Sequence, residues 1–230
     1  LAVVLARAGS KGIKNKNLRK INGISLVGRA GIFASEIKYI DLAVVSTDSK
    51  KIGKEAAKYK LKFIFKRPKK LSGSKISEEL VFKNALIETE KKIKKRFDVV
   101  VSLAPTSPLR KNHDVVKSIK KLIDKKYDAV WTISETDKKF HPYKSLELEK
   151  DKLKFFSKEG IKIKYRQQLA NTYFRNGAAY VLSRKSIIKK KILPRNSSYV
   201  ICKSNQISID TLKDLEIAKK KLTKWSQKTY

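Results

Sequence analysis

LAVVLA, residues 1–6, is a strand-length run with no polar residue on either side of the pleat. Similar β-rich runs follow: LAVVST (42–47), LKFIF (61–65), DVVVSLA (98–104) and YDAVWTIS (127–134). An antiparallel strand with one wet face alternates in polarity, whereas a continuous Val/Ile/Leu run must be covered on both faces. Amphipathic stretches lie between the runs. Ser25–Ile37 carries apolar side chains at 26, 27, 30, 33, 34 and 37, Ile76–Ile93 at 76, 80, 81, 85, 86 and 93, and Val115–Ile123 is a third. The pattern predicts an α/β fold with a mostly parallel sheet covered by helices on both faces.

Ligands of such sheets sit beyond the carboxyl ends of the strands. That directs attention to loops 7–17, 47–49 and 105–112. The first, ARAGSKGIKNKN (6–17), follows the opening strand. Gly9 and Gly12 permit positive φ and close approach of backbone N–H groups to an anion. Arg7, Lys11, Lys14 and Lys16 add charge, and Ser10 adds a hydroxyl. The composition suits a cradle for phosphate oxygens, although it is neither G-x-x-x-x-G-K-[ST] nor G-x-G-x-x-G. A flexible basic loop is the plain alternative. Further polar stretches are Ser46-Thr-Asp-Ser49, Pro105-Thr-Ser-Pro-Leu-Arg110, Arg166-Gln-Gln168, Asn176-Gly177 and Ile207-Ser-Ile-Asp-Thr211.

The α/β rhythm breaks from about 140 to 175, where KSLELEKDKLKFFSKEGIKIKY reads as short strands around polar turns. It returns with AAYVLSR (178–184), YVICK (199–203) and a closing helix from Leu212 to Leu222. No repeat or linker divides the chain. The expectation is one domain over 1–230 with an inserted arm at approximately 138–175.

The formal charge of +35 invites a nucleic-acid reading. The lysines are, however, spread over every segment, whereas a nucleic-acid module gathers its charge on one face and interleaves aromatics. The favoured reading is a solvated basic surface with no specific nucleic-acid partner, whose field steers small anions inward. Cys202 is the only cysteine, which rules out an intrachain disulfide and reads as a small buried hydrophobe. No run resembles a signal peptide or reaches membrane-spanning length, so a cytoplasmic protein without a membrane partner is expected. The chain opens on Leu1 and has no methionine, so its natural start is expected upstream.

The segments LARAGSKGIKNKNLRKING, VVSTDS, KRPKKLS, LAPTSPLR, FHPYKSL, YRQQL, RNGAAYVLSR and SIDTLKDLEIA resemble, in order and spacing, the cytidylyltransferases of acidic sugars. The match is to the bacterial CMP-N-acylneuraminate (sialic acid) synthetase family and covers essentially the whole chain. The resemblance implies a Rossmann-like nucleotidyltransferase sheet with a small β-containing dimerisation arm, and a homodimer. The implied reaction joins CTP to a nine-carbon 2-keto sugar acid, giving the CMP-sugar and pyrophosphate with Mg²⁺.

By that resemblance Arg7, Ser10, Lys11 and Lys16 hold the triphosphate, and Asn17 and Arg67 contact the nucleoside. Lys144 and Arg166 stand where the family places sugar-binding cations, with Gln167 and Asn176 as amide partners. Arg7, Lys16 and Asp210 carry catalysis, and Asp210 is the Mg²⁺ ligand, since a hard cation wants carboxylate oxygen plus phosphate. Asp210 as a mere helix cap is the alternative. Asp214 reads as a cap, His141 shapes the sugar pocket, and His113 opens a helix. The two histidines give no zinc site. Arg110 either serves the site or caps its own loop.

The chain departs from the family twice. Ser208-Ile-Asp210 stands where D-I-D is usual, and Ala104 stands where the close sialic-acid enzymes carry glutamine. Legionaminic, pseudaminic or eight-carbon Kdo substrates, or a weakened binding homologue, are therefore alternatives; an RNA-binding protein is suggested by charge alone.

Overall fold

Leu1, Val3 and Val44 pack into one apolar layer, while Ala2, Val4, Ala43 and Val45 pack into another. The continuous apolar runs are thus explained, because alternate side chains enter different cores. The structure is a computed structural model and describes residues 1–10, 12–204 and 206–226, the last three by their backbone alone.

In chain order, β1 (Ala2–Leu5) leads through the opening loop to a short hairpin, β2 (Lys20–Ile21) and β3 (Ile24–Ser25), and then to α1 (Leu26–Ser35). β4 (Ala43–Ser46), α2 (Lys50–Ala57), α3 (Glu78–Ile93), β5 (Val99–Ser102), α4 (Asn112–Asp124) and β6 (Ala129–Glu135) follow. Next come a separate hairpin of β7 (Leu146–Glu149) and β8 (Lys152–Phe155), then β9 (Tyr173–Ser183), α5 (Arg184–Ile188), β10 (Ser197–Ile201) and α6 (Leu212–Ser226). Serines start several helices by accepting an otherwise unpaired N–H. Ser25 accepts from Gly28 at 3.1 Å and Ser49 from Ile52 at 3.3 Å.

The main sheet has the order β10-β6-β9-β5-β1-β4. β4 and β5 lie parallel to β1, β10 lies parallel to β6, and β9 runs antiparallel between β5 and β6. Val27, Ala30 and Ala34 of α1, Ile52 and Ala56 of α2, and Val115, Ile119 and Leu122 of α4 cover one face. Phe82, Ala85 and Leu86 of α3 and Ile187 of α5 cover the other. The fold is the Rossmann-like α/β architecture expected, and among the described residues no helix is long and apolar enough to cross a membrane.

Two expectations need correction. LKFIF is not a strand. Only Lys62 pairs with β4, through Val45 N–H to its carbonyl at 3.0 Å and its own N–H to the Ala43 carbonyl at 2.8 Å. Beyond it the side chains divide, Leu61 and Phe63 into the first core and Ile64 and Phe65 into the second, so packing draws the segment off the ladder. AAYVLSR belongs to the antiparallel β9, which begins well upstream at Tyr173. The hairpin of β7 and β8 matches the expected β excursion, and Leu148, Leu153 and Phe156 on and beside it are exposed.

Arg110 resolves toward the structural alternative. It is buried, its Nε donates to the Ala178 carbonyl at 2.9 Å, and another guanidinium N–H reaches the Ala104 carbonyl. The guanidinium also lies 5.3 Å from the centre of the Phe33 ring. One planar fork therefore ties the turn after β5 to β9, and burial holds its pKa below the usual arginine value. Arg110→Met, which strands both carbonyls, is expected to lower unfolding stability by about 1–3 kcal/mol, with Arg110→Lys only a partial rescue because an ammonium lacks the fork. Urea denaturation midpoints check this, and wild-type midpoints in both variants would refute it.

Candidate active site

The opening loop is fastened from three directions. Asn17, buried, donates from its amide to the Arg7 carbonyl at 3.0 Å, and the Ala8 N–H donates to Asp48 Oδ1 at 2.9 Å. Ile13 sits in a third apolar cluster with Ile21, Leu26, Ile209, Leu215 and Ala218. That cluster presses α6 and the segment before it onto the loop. Gly12 lies so close to this segment that a Cβ would collide with the Asp210 carbonyl oxygen. Gly12 is needed for this close approach. Among the described residues of the loop the left-handed one is Asn15, at φ 56°, rather than Gly9.

The approach brings Lys16 Nζ to 2.7 Å from Asp210 Oδ1, and the Ser208 hydroxyl donates to Oδ2 at 3.1 Å. Asp210 is not the helix cap. Thr211 accepts from the Asp214 N–H at 3.2 Å, while Asp214 accepts from the N–H groups of Asp210 and Thr211 at 3.1 and 2.8 Å. The Thr211 hydroxyl also donates to Asp214 Oδ2 at 2.8 Å, and this bond and then the two N–H bonds hold the Asp214 carboxyl below its ordinary pKa. Thr211 and Asp214 thus cap α6 reciprocally and leave the Asp210 carboxylate to the cleft.

The cleft has a volume of about 810 Å³. Its floor is Leu5, Ser102 and Ala104 at the carboxyl ends of β1 and β5, with Pro105 and Thr106 beside them. Arg7, Ser10, Gly12, Lys16 and Asn17 make one wall, closed by Ser208 and Asp210. Glu78, Arg175 and Tyr180 line it as well. The Ile209 N–H donates to the Thr106 carbonyl at 2.9 Å, locking the closing segment to the turn after β5.

Of the residues expected from sequence, Arg7, Ser10, Lys16, Asn17, Asn176 and Asp210 line this cleft. Lys11 lies outside the described residues. Arg67 is buried behind the wall, its Nε donating to Ser46 Oγ at 3.0 Å and a second N–H to the Ser46 carbonyl. Burial pushes its pKa down to about 10, with Asp48 opposing and Arg7 adding to the shift. Lys144, Arg166 and Gln167 are exposed on the arm and absent from the cleft wall; Arg166 faces Asp137 at 4.0 Å.

Asn176 is buried and committed to the fold. Its oxygen accepts from Thr132 Oγ1 at 2.8 Å and the Ala178 N–H at 3.0 Å, and its nitrogen donates to Ser134 Oγ at 2.9 Å. The Cys202 thiol lies within hydrogen-bonding influence of Asn176 and Asp114, and burial pushes its pKa up to about 12.

Glu78, Arg175 and Tyr180 escaped the sequence reading. Tyr180 pairs with Trp131 across β6 and β9, with ring centres 4.7 Å apart, and the Arg175 guanidinium lies 5.9 Å from the centre of the same Trp131 ring. Residues five apart on a regular strand point to opposite faces. The register shift between Trp131 and Ile133, beside Gly177 at φ 70°, reverses the parity and brings both to the cleft. An Asn-Gly pair inside a strand pattern is the available signal for such a bulge. Glu78 opens α3 beside an equally acidic Glu79, so its placement has no signature. Although Glu78 is exposed as a residue, desolvation raises the pKa of its carboxyl, against the pull of Arg175.

A family model described as cytidylyltransferase matches residues 1–229. The chain belongs to the cytidylyltransferase family. Among curated relatives of this cytidylyltransferase, "Post-translational flagellin modification protein B" of Campylobacter coli is 30% identical over 94% of the chain and 92% of the relative. "CMP-N,N'-diacetyllegionaminic acid synthase" of Campylobacter jejuni is likewise 30% identical, over 94% of the chain and 92% of the relative. Among solved structures, CMP:2-keto-3-deoxy-manno-octonic acid synthetase complexed with CTP superposes with a TM-score of 0.72 at 16% identity, over 97% of this chain and 98% of that one. This last likeness bears on the fold.

Gly12→Ala is expected to part the loop from the Asp210 segment and weaken CTP binding by roughly ten-fold, about 1.4 kcal/mol. Calorimetric titration measures this, and unchanged affinity would refute it. Cys202 is expected to resist iodoacetamide at about pH 8 in the native protein and to react once unfolded, because the reactive form is the thiolate. Mass spectrometry of the labelled chain checks it; full native labelling would be the contrary result.

Proposed function

We propose that this cytidylyltransferase activates a 2-keto sugar acid of the sialic, legionaminic or pseudaminic type with CTP, giving the CMP-sugar and pyrophosphate in the cytoplasm. The observation that carries the reading is the meeting of Arg7, Ser10, Lys16 and Asp210 on one cleft beyond β1 and β5. The legionaminate synthase relative supports the substrate class.

In this reaction the anomeric hydroxyl of the acid attacks the α-phosphorus of CTP, and pyrophosphate leaves in line. Charge accumulates on phosphate oxygens, so acceleration comes from positioned cations and oriented N–H groups. Arg7 and Lys16 supply the cations and Ser10 a hydroxyl; Lys16 turns from Asp210 to the triphosphate. Asn17 acts by holding the loop in shape and Arg67 by locking the end of β4, with Lys11 an additional phosphate cation.

The cleft's donor chemistry suits Mg²⁺ in one way. Asp210 offers carboxylate oxygens at the cradle, and Mg²⁺ is commonly held by one or two carboxylates together with substrate phosphates. Among the described residues no group of three His, Cys, Asp or Glu could form a protein-only cage, so the ion would arrive with the triphosphate and be held by Asp210. Bound there, it would neutralise phosphate charge. The arm carries Lys144, Arg166 and Gln167 with exposed Leu148 and Leu153, which supports a homodimer in which those cations serve the acid-binding end of a cleft.

The test is pyrophosphate release with CTP, Mg²⁺ and a panel of sialic, legionaminic, pseudaminic and Kdo acids. One nine-carbon acid is expected to be turned over best; no turnover with any acid would overturn the reading. Arg7→Ala and Lys16→Ala are each expected to cut turnover by about 10²-fold or more with folding intact, the scale seen for loss of one transition-state charge partner. Asp210→Asn is expected to move the Mg²⁺ titration to higher concentration. Normal CTP kinetics in both cation variants, or an unmoved titration, would remove those assignments.

A further inference from the structure

The cleft extends past the phosphate cradle. Its described lining includes three cations, Arg7, Lys16 and Arg175. Arg7 and Lys16 belong to the loop after β1, and Lys16 is paired with Asp210. Arg175 comes from β9, beside Tyr180 and Glu78.

Other arginines in the fold have committed their forks. Arg67 is bound to Ser46, Arg110 to Ala104 and Ala178, and Arg184 to both oxygens of Glu90 at 2.9 Å. The Arg175 guanidinium makes no hydrogen bond or ion pair among the described residues. It is nonetheless supported, lying 5.9 Å from the centre of Trp131. Trp131 is fixed in turn by its indole N–H donating to the Ile192 carbonyl at 3.1 Å and by the Tyr180 ring. A guanidinium over an aromatic face, with its donors unspent and aimed at a polar cleft, suits a planar carboxylate. Nearby Glu78 offers carboxyl oxygens for sugar hydroxyls at this end of the cleft.

Building on the function proposed above, we propose that Arg175 is the specificity residue that binds the carboxylate of the acceptor sugar acid, with Glu78 and Tyr180 beside it on the sugar. This assigns the carboxylate of the acid to a residue of the cleft's own chain, and leaves Arg166 and Lys144 of the arm to other groups of the acid.

The experiment pairs protein and substrate changes. Wild type, Arg175→Gln, Arg175→Lys and Arg166→Gln are assayed with CTP and the best acid of the panel, and again with the 1-carboxamide of that acid. Arg175→Gln is expected to raise KM for the acid by roughly 10- to 100-fold, the cost of a lost charge-assisted pair, and to leave KM for CTP within about two-fold. Arg175→Lys recovers part of the loss. The wild-type penalty for the carboxamide is expected to vanish in Arg175→Gln and to persist in Arg166→Gln. A parallel rise in the CTP KM, or an undiminished carboxamide penalty in Arg175→Gln, overturns the assignment. So does a penalty that vanishes in Arg166→Gln instead. If Arg175→Gln has a lowered melting temperature, Arg175→Lys decides by the same carboxamide comparison. Wild-type turnover separates the two levels: its absence with every acid overturns the functional reading and this inference together, while its presence with an indifferent Arg175 overturns only the latter.

Discussion

An apolar contact between the two ends of the chain creates the cleft. Ile13 of the first loop meets Ile209, Leu215 and Ala218, with Ile21 and Leu26 completing the cluster. Burying side chains of this size contributes about 1.5–3 kcal/mol each. An ion pair as open as Lys16–Asp210, whose carboxylate side chain is 68% exposed, contributes at most about 1 kcal/mol. The hydrophobic cluster therefore fixes the geometry, and the ion pair reports it. The backbone approach at Gly12 and the bond from Ile209 to Thr106 follow from that clamp and link three loops that are remote in sequence.

The chain's +35 charge hides a division of labour among its cations. Lysines dominate the exposed faces, where their strong hydration is retained. Arginines take the buried positions: Arg67 locks the end of β4, and Arg110 joins the turn after β5 to β9. A planar fork satisfies several carbonyls or hydroxyls at once, which an ammonium cannot do in the same geometry. Cation density alone is thus a poor guide to the site.

Much of the fold was legible because it rests on local patterns. The apolar runs gave β1, β4, β5 and β6, the period of the amphipathic stretches gave α1, α3 and α4, and the loop after β1 stood out by its glycines and charge. LKFIF misled because its apolar residues serve two cores rather than a ladder. The roles of Arg67 and Arg110 were hidden, since a buried arginine and an exposed one read alike without their partners. Asn176 looked like a ligand amide, whereas its bonds run to Thr132, Ser134 and Ala178. Arg175 and Tyr180 converge only through a strand irregularity, and Glu78 only because the start of α3 packs beside the cleft. Those are tertiary facts, and periodicity does not contain them.

The antiparallel strand has a consequence for how the protein is made. β4, β1 and β5 form one parallel block and β6 with β10 another, and the two are bonded only through β9. A ribosome delivering the chain from its amino end exposes residues 1–172 before the keystone strand exists. The two blocks must wait with open edges, the condition in which partly made sheets aggregate or recruit chaperones. Late closure by β9 then joins the two blocks and brings Arg175 and Tyr180 into place, and the groove is finished only when the later segment carrying Ile209 and α6 docks on the first loop.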